Sequence, residues 1–235
     1  MKDKYLRETR MVDFSNPAIQ KLIQNMKWKE MGEFERIKAI YNYVRDDVLF
    51  GYNIDDEISA SKVLADGYGQ CNTKGTLFMA LLRACSIPCR VHGFTIDKRL
   101  QKGAMTGFVY RNAPQNVLHS WVEVYLDDTW YELEAFILDK EYLNKLQKIN
   151  SQCSGAFCGY GVAVKDFQNP VIDFERNNTY IQNEGINQDF GIYNSPDELL
   201  AEHHQEMSIV KAFAYRHLGR HLMNKNVKRI RDAQV

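Results

Sequence analysis

The sequence predicts an α+β protein. Three observations carry that reading. Apolar residues recur at helical spacing through four stretches before residue 86. A strand and then an antiparallel hairpin follow between residues 89 and 137. One helix opens directly after a glycine-rich turn, Gly67-Tyr68-Gly69-Gln70-Cys71. Helices followed by antiparallel strands imply a helical layer packed on a sheet.

The elements follow in order. Ser15-Asn16-Pro17 supplies a capping residue and a first-turn proline. Ile19, Leu22, Ile23 and Met26 then share one face. A second helix is predicted over Glu33 to Val48, with Ile37, Ile40, Tyr41, Val44 and Val48 as its stripe, broken by Gly51-Tyr52-Asn53. Ser59 to Ala65 forms a short helix leading to the glycine turn. The helix from Cys71 to Ala84 carries Leu77, Phe78, Leu81, Leu82 and Cys85 on one apolar stripe. Ser86-Ile87-Pro88 ends it, because proline disfavours α geometry in the residue before it. Cys89 to Ile96 reads as a strand. Residues 97–116 read as a long loop with Gly103, Gly107 and Pro114, a length often kept for function.

The hairpin pairs Val117–Leu126 with Trp130–Ile137 and turns near Asp127-Asp128. Strand side chains alternate between faces. Leu118, Val122, Val124, Leu126, Tyr131, Leu133 and Ile137 form an apolar face. His119, Trp121, Glu123, Tyr125, Trp130, Glu132, Glu134 and Phe136 form the other. Residues 139–149 are predicted helical, and residues 151–194 hold short strands that the pattern does not place. Ser195-Pro196-Asp197-Glu198 opens a long helix through Leu199, Leu200, Met207, Val210, Ala214, Leu218 and Leu222. Its basic end (Lys225, Lys228, Arg229, Arg231) reads as a solvated C-terminus, where the dipole favours cations.

Bulk properties narrow the function. The chain has 235 residues, with 30 Lys+Arg against 30 Asp+Glu, so its formal net charge is zero. That argues against a nucleic-acid partner. The first residues lack an apolar core for a signal peptide, and no apolar run is long enough to span a membrane. Five cysteines without framework spacing suggest reduced thiols and a cytoplasmic protein with no membrane partner.

Cys71 on the first turn of its helix sits where the dipole favours a negative charge. If the hairpin turn has two central residues, Leu126 pairs with Thr129, and His119 and Glu134 become diagonal neighbours on one face. A carboxylate would then hold one ring nitrogen and leave the other for a thiol. Nucleophile, base and orienting acid in that arrangement suit acyl transfer.

The blocks Ser59-Ala60-Ser61-Lys62-Val63-Leu64, Gly67 to Cys71, and Leu81 to Val91 resemble the transglutaminase-like (papain-related) superfamily, in its bacterial type. His119-Ser120-Trp121-Val122-Glu123-Val124-Tyr125 and Trp130-Tyr131-Glu132-Leu133-Glu134 are similar to its second and third motif blocks. The resemblance covers about residues 10 to 140. It implies an α+β papain/transglutaminase-like core, with a nucleophile-bearing helix packed on an antiparallel sheet and a C-terminal helical extension. The core is read as 1–150; residues 151–235 lie outside the resemblance and read as an accessory extension packed on that same core. By this resemblance the nucleophile is Cys71, the base His119 and the third residue Glu134, where the family usually has Asp. Gln70, Tyr68 and Trp121 are candidates for the oxyanion site or the cleft wall. The implied chemistry is cysteine-dependent acyl transfer on an amide of a protein or peptide, passed to water or to an amine acceptor, without a cofactor. Two other readings stand beside it. One is a non-catalytic module that binds a peptide in the cleft. The other is a metal protein using Cys85, Cys89 and His92, or His217 and His221. Cys153 and Cys158 are assigned no role.

Overall fold

The fold was analysed in a computed structural model that describes residues 3–205 and 208–234. In chain order its elements are α1 Pro17–Met26, α2 Glu33–Asp46, β1 Leu49–Phe50, α3 Ala60–Asp66, β2 Tyr68–Gly69 and α4 Cys71–Ala84. Next come β3 Cys89–Asp97, α5 Gly107–Asn112, β4 Asn116–Leu126, β5 Thr129–Leu133 and α6 Lys140–Ile149. The chain continues with β6 Phe157–Gly159, β7 Val162–Val164, β8 Ile186–Tyr193, α7 Pro196–Glu202, α8 Ile209–Ala214 and α9 Arg220–Arg231. A π-helical segment, Tyr215–Gly219, joins α8 to α9.

The main sheet is antiparallel and four-stranded, in the order β5-β4-β3-β8. Its hairpin has the two-residue turn expected, with Leu126 opposite Thr129 and Val122 opposite Leu133. Asp127 and Asp128 both take positive φ, 49° and 61°, the pattern of a type I′ turn. Aspartate enters that region at lower cost than most residues do.

The first half of the chain follows its local signals. The Asn16 side chain caps α1 by accepting from Ala18 N, and Ser59 caps α3 by accepting from Lys62 N. Gly67 ends α3 at φ 70°, the left-handed position that glycine adopts without penalty. Two residues later, Gly69 leaves no space for a side chain. A Cβ there would lie 2.7 Å from Thr73 Oγ1 and 2.9 Å from Lys74 Cγ. Residues 68–69 pair in parallel with 49–50, so the glycine turn is held as a short strand where it feeds α4.

Helix α4 is the centre of the molecule. The sequence predicts one apolar stripe, yet every residue from Asn72 to Ala84 is buried. A helix enclosed on all sides must satisfy its polar groups internally. Lys74 Nζ donates to Arg45 O at 3.1 Å and to Ile137 O at 3.0 Å, tying α2 and the chain after β5 to α4. Arg83 donates to Cys89 O at 3.0 Å and to Arg7 O at 2.6 Å.

Four expectations need correction. Residues 97–116 are not one loop. A 3-10 turn at Lys98–Gln101 buries Leu100 and Gln101, and α5 follows. Phe136 does not lie on the polar face of the hairpin. The strand ends at Leu133, a 3-10 turn spans Ala135–Ile137, and Phe136 packs 5.0 Å from Phe78 in the core. The predicted long C-terminal helix is interrupted after Glu202. His203 stacks on Phe190 of β8 at 3.8 Å, and Gln205 Oε1 accepts from Leu118 N at 2.9 Å. Those tertiary contacts outweigh the helical propensity. Met207 lies outside the described residues. Finally, the buried stripe of the later helix is Gly219, Met223 and Val227, while Val210, Leu218 and Leu222 face solvent.

Candidate active site

Three elements converge at the head of α4. The chain reaches Cys71 through β2. Gln70 N donates to Thr73 Oγ1 at 3.0 Å, one half of a capping box, and Thr73 Oγ1 in turn donates to Asn53 Oδ1 at 2.6 Å. Asn72 then links the helix to β4, accepting from Ser120 Oγ at 2.9 Å. This bracing fixes the first turn of α4 against the strand that carries His119. Cys71 is half-buried there, and its neighbours Asn72 and Thr73 are buried.

His119 is wholly buried, as is Glu134. His119 Nε2 lies 2.7 Å from Glu134 Oε1. Glu134 Oε2 accepts from the backbone N–H groups of Ile181 and Gln182, at 2.7 and 2.8 Å. Both carboxylate oxygens are therefore engaged, which fixes the orientation of the group. The longer side chain is accommodated because the chain leaves β5 after Leu133. Glu134 itself has φ −120° and ψ −36°, off the strand, so it reaches His119 from the strand's end.

The other ring nitrogen of His119, Nδ1, is buried and has no hydrogen-bond partner among the described residues. Burial opposes a charge on this ring. Its interactions with Cys71 and Glu134 more than offset it, and the imidazole pKa is pushed up to about 10. A protonated imidazole held by an acid beside a thiol can give a proton to a leaving group.

The cleft candidates divide. Gln70 Oε1 accepts from Asn53 N at 2.9 Å, and its Nε2 donates to Asp56 Oδ1 at 3.0 Å, so the amide braces the 53–56 loop. The Tyr68 ring packs over Gly51, where a Cβ would come within 2.9 Å of Tyr68 Cδ2. Trp121 lies among His92, Phe94 and Tyr180, and Phe94 in turn packs 4.9 Å from the His119 ring. Trp121 thus buttresses His119 through Phe94.

Sequence reasoning missed several groups beside this site. The amides of Ile181 and Gln182 come from a stretch with no recognisable pattern, and backbone donors leave no trace in residue identity. Tyr52 and Tyr215 were also missed. Burial pushes both phenols up, and each feels the Cys71 thiolate as a lesser influence. Tyr215 OH donates to Asn53 O at 3.0 Å, bringing the C-terminal helix beside the head of α4. Asp56 is raised mainly by burial.

Among the described residues no three His, Cys, Asp or Glu side chains gather as a metal site. Cys85 and Cys89 are buried in the core, and Cys89 Sγ lies 3.7 Å from Met79 O. His92 instead bridges Glu123 Oε1 at 3.1 Å and Asp189 Oδ1 at 2.7 Å.

Residues 20–135 match the model of the Transglutaminase-like superfamily. No curated protein matches the chain. Among solved structures, a proposed cysteine protease from Cytophaga hutchinsonii aligns with 15% identity and a TM-score of 0.47, covering 83% of this chain and 47% of that one. The chain therefore spans about half the length of that protein.

Proposed function

We propose that this chain, whose residues 20–135 match the transglutaminase-like superfamily, is a cysteine-dependent enzyme of acyl transfer acting on amides. The observation that carries this reading is the arrangement of His119. One of its ring nitrogens is bound to Glu134, the other is buried with no hydrogen-bond partner among the described residues, and Cys71 lies near enough to favour a charge on the ring.

In this mechanism Cys71 and His119 form a thiolate–imidazolium pair. The thiolate adds to the substrate carbonyl, making a carbon–sulfur bond and moving the carbonyl electrons onto oxygen. Backbone N–H groups of the first α4 turn, that of Cys71 among them, stabilise the oxyanion, typically by about 3–4 kcal/mol per donor. The tetrahedral adduct collapses, the carbon–nitrogen bond breaks, and His119 gives its proton to the departing amine. A thioester remains on Cys71. Water or an amine then attacks it, His119 takes up the attacking group's proton, and the carbon–sulfur bond breaks to free the acid or new amide and the Cys71 thiolate. Glu134 holds the ring orientation throughout. A protein or peptide is the amide donor in this reading. The hydrogen bond from His119 to Glu134 speaks against a cleft that only binds.

The reading is tested by incubating the protein with peptide amides in the presence and absence of hydroxylamine. Acyl hydroxamate is expected from the wild type and not from Cys71→Ala. The split between hydroxamate and free acid gives the preference between amine and water. Equal product from wild type and Cys71→Ala would remove Cys71 from the chemistry.

A further inference from the structure

The C-terminal helix carries a surface that the acyl-transfer site does not use. Ile209, Val210 and Phe213 are 89, 77 and 64% exposed, and Leu218 and Leu222 continue the apolar face. Phe108 on α5 is 72% exposed, and Lys211 Nζ donates to Asn112 O at 3.3 Å, tying the end of α5 to α8. Large aliphatic and aromatic side chains gathered in solvent mark an interaction surface.

The helix cannot turn this face inward. Its opposite side is fastened by Tyr215 to Asn53 O and by paired hydrogen bonds between Asn224 and the backbone of Tyr52, at 2.7 and 3.0 Å. Met223 and Val227 are buried in the core. Arg216 pairs with Asp55 beside them.

Charge decides the partner. Between Ser208 and Arg231 the sequence holds seven Lys and Arg and no Asp or Glu, in a chain of zero net charge. A dimer made from this face against its own copy would set cations against cations. A helix with exposed Ile, Val, Phe and Leu beside the exposed cations Lys211, Lys225 and Arg229, its Arg216, Lys228 and Arg231 being held in ion pairs, matches an anionic lipid surface, which rewards both features at once. No helix among the described residues is long and apolar enough to cross a membrane, so the fit is to the interface and not to its interior.

We propose that α8, the π segment and α9 form a peripheral docking surface for an anionic bilayer. The sequence alone suggested a solvated helix end with no membrane partner, because the exposure of the apolar residues could not be read from it. Docking by this face would hold the Cys71 site, on the far side of the same helix, about one helix diameter (~10 Å) from the surface.

The test is co-sedimentation of the full chain with vesicles of phosphatidylcholine alone or with about 30% phosphatidylglycerol, at low and high salt. The wild type is expected to sediment with the anionic vesicles, weakly with the neutral ones, and less as salt rises. The double variant I209S/F213S is expected to lose at least about tenfold in bound fraction, with unchanged circular dichroism and unchanged Cys71 alkylation. The bulky variant F213W is expected to keep binding and to shift its added emission to the blue on anionic vesicles. Failure of the wild type to bind anionic vesicles overturns the proposal, as does full binding by I209S/F213S. A concentration-dependent dimer that the double variant abolishes, without vesicle binding, would assign the face to a second copy instead.

Discussion

Glu134 has to meet two demands at once, one oxygen on His119 and the other on the amides of Ile181 and Gln182. Its length is therefore matched to a site that begins past the end of β5. Glu134→Asp restores the residue usual in the superfamily, yet it is one methylene short here. We expect it to lower activity on the order of 10²-fold or more, because either the imidazole or the two amides must go unpaired. Glu134→Gln keeps the length and loses the charge. Its NH2 group faces either N–H donors or the ring, so stability should fall by about 1–3 kcal/mol in urea unfolding. If Glu134→Asp were fully active, the reach argument would be wrong. At this scale the sequence was informative for where a few side chains lie. Cys71 was legible at a helix start and His119 on a hairpin face whose register brings Glu134 near it, although Glu134 itself lies past the end of the strand. Gln70, Tyr68 and Trp121 were legible as neighbours, but their bonds to the 53–56 loop, Gly51 and Phe94 were not. Those contacts depend on residues distant in sequence.

The C-terminal helix is joined to the core through Asp139. This residue caps α6, accepting from Tyr142 N at 2.9 Å. It also accepts from Phe50 N at 2.9 Å and pairs with Arg231 of α9 at 2.5 Å. Burial raises its pKa, but Arg231 and the two backbone donors outweigh burial and hold it below the ordinary carboxylate value. Asp139→Asn should cost about 1–3 kcal/mol, from a weakened cap and a lost ion pair. Faster hydrogen exchange confined to α9 and the start of α6 is the expected signature, and an unchanged α9 would show that its apolar anchors suffice. Locally coded elements were the readable ones. The caps at Asn16 and Ser59, the proline after α4 and the Asp-Asp turn each sit beside the element they define. The break after Glu202 was not readable, since it depends on Phe190 and Leu118.

Across the whole molecule, two buried bases on or beside α4 should give opposing pH effects. His119 is raised to about 10 from its usual value, so its contribution to stability is complete below about pH 6.5 and is lost as pH rises to about 10. Lys74 behaves inversely. Burial lowers it to about 7, so the unfolded chain binds its proton more tightly, and its penalty is full below about pH 7 and relieved as pH rises towards about 10.5. Urea unfolding at about pH 6 and pH 9 separates them. Any stability advantage of Lys74→Met over wild type should shrink with rising pH, while the deficit of His119→Ala should also shrink. Pattern alone predicted α4 as a one-sided helix, so the burial of Lys74 was invisible. A lysine in a helix reads as surface until tertiary packing closes around it.

The measurement that bears most directly on the acyl-transfer reading is the rate of iodoacetamide labelling at Cys71 against pH, in wild type and in His119→Ala. The expected result is fast, selective alkylation of Cys71 well below the range in which an ordinary thiol ionises, with that advantage lost in His119→Ala. Labelling of Cys71 at the rate and pH of an ordinary thiol in both proteins would contradict the ion pair, and with it the proposed chemistry.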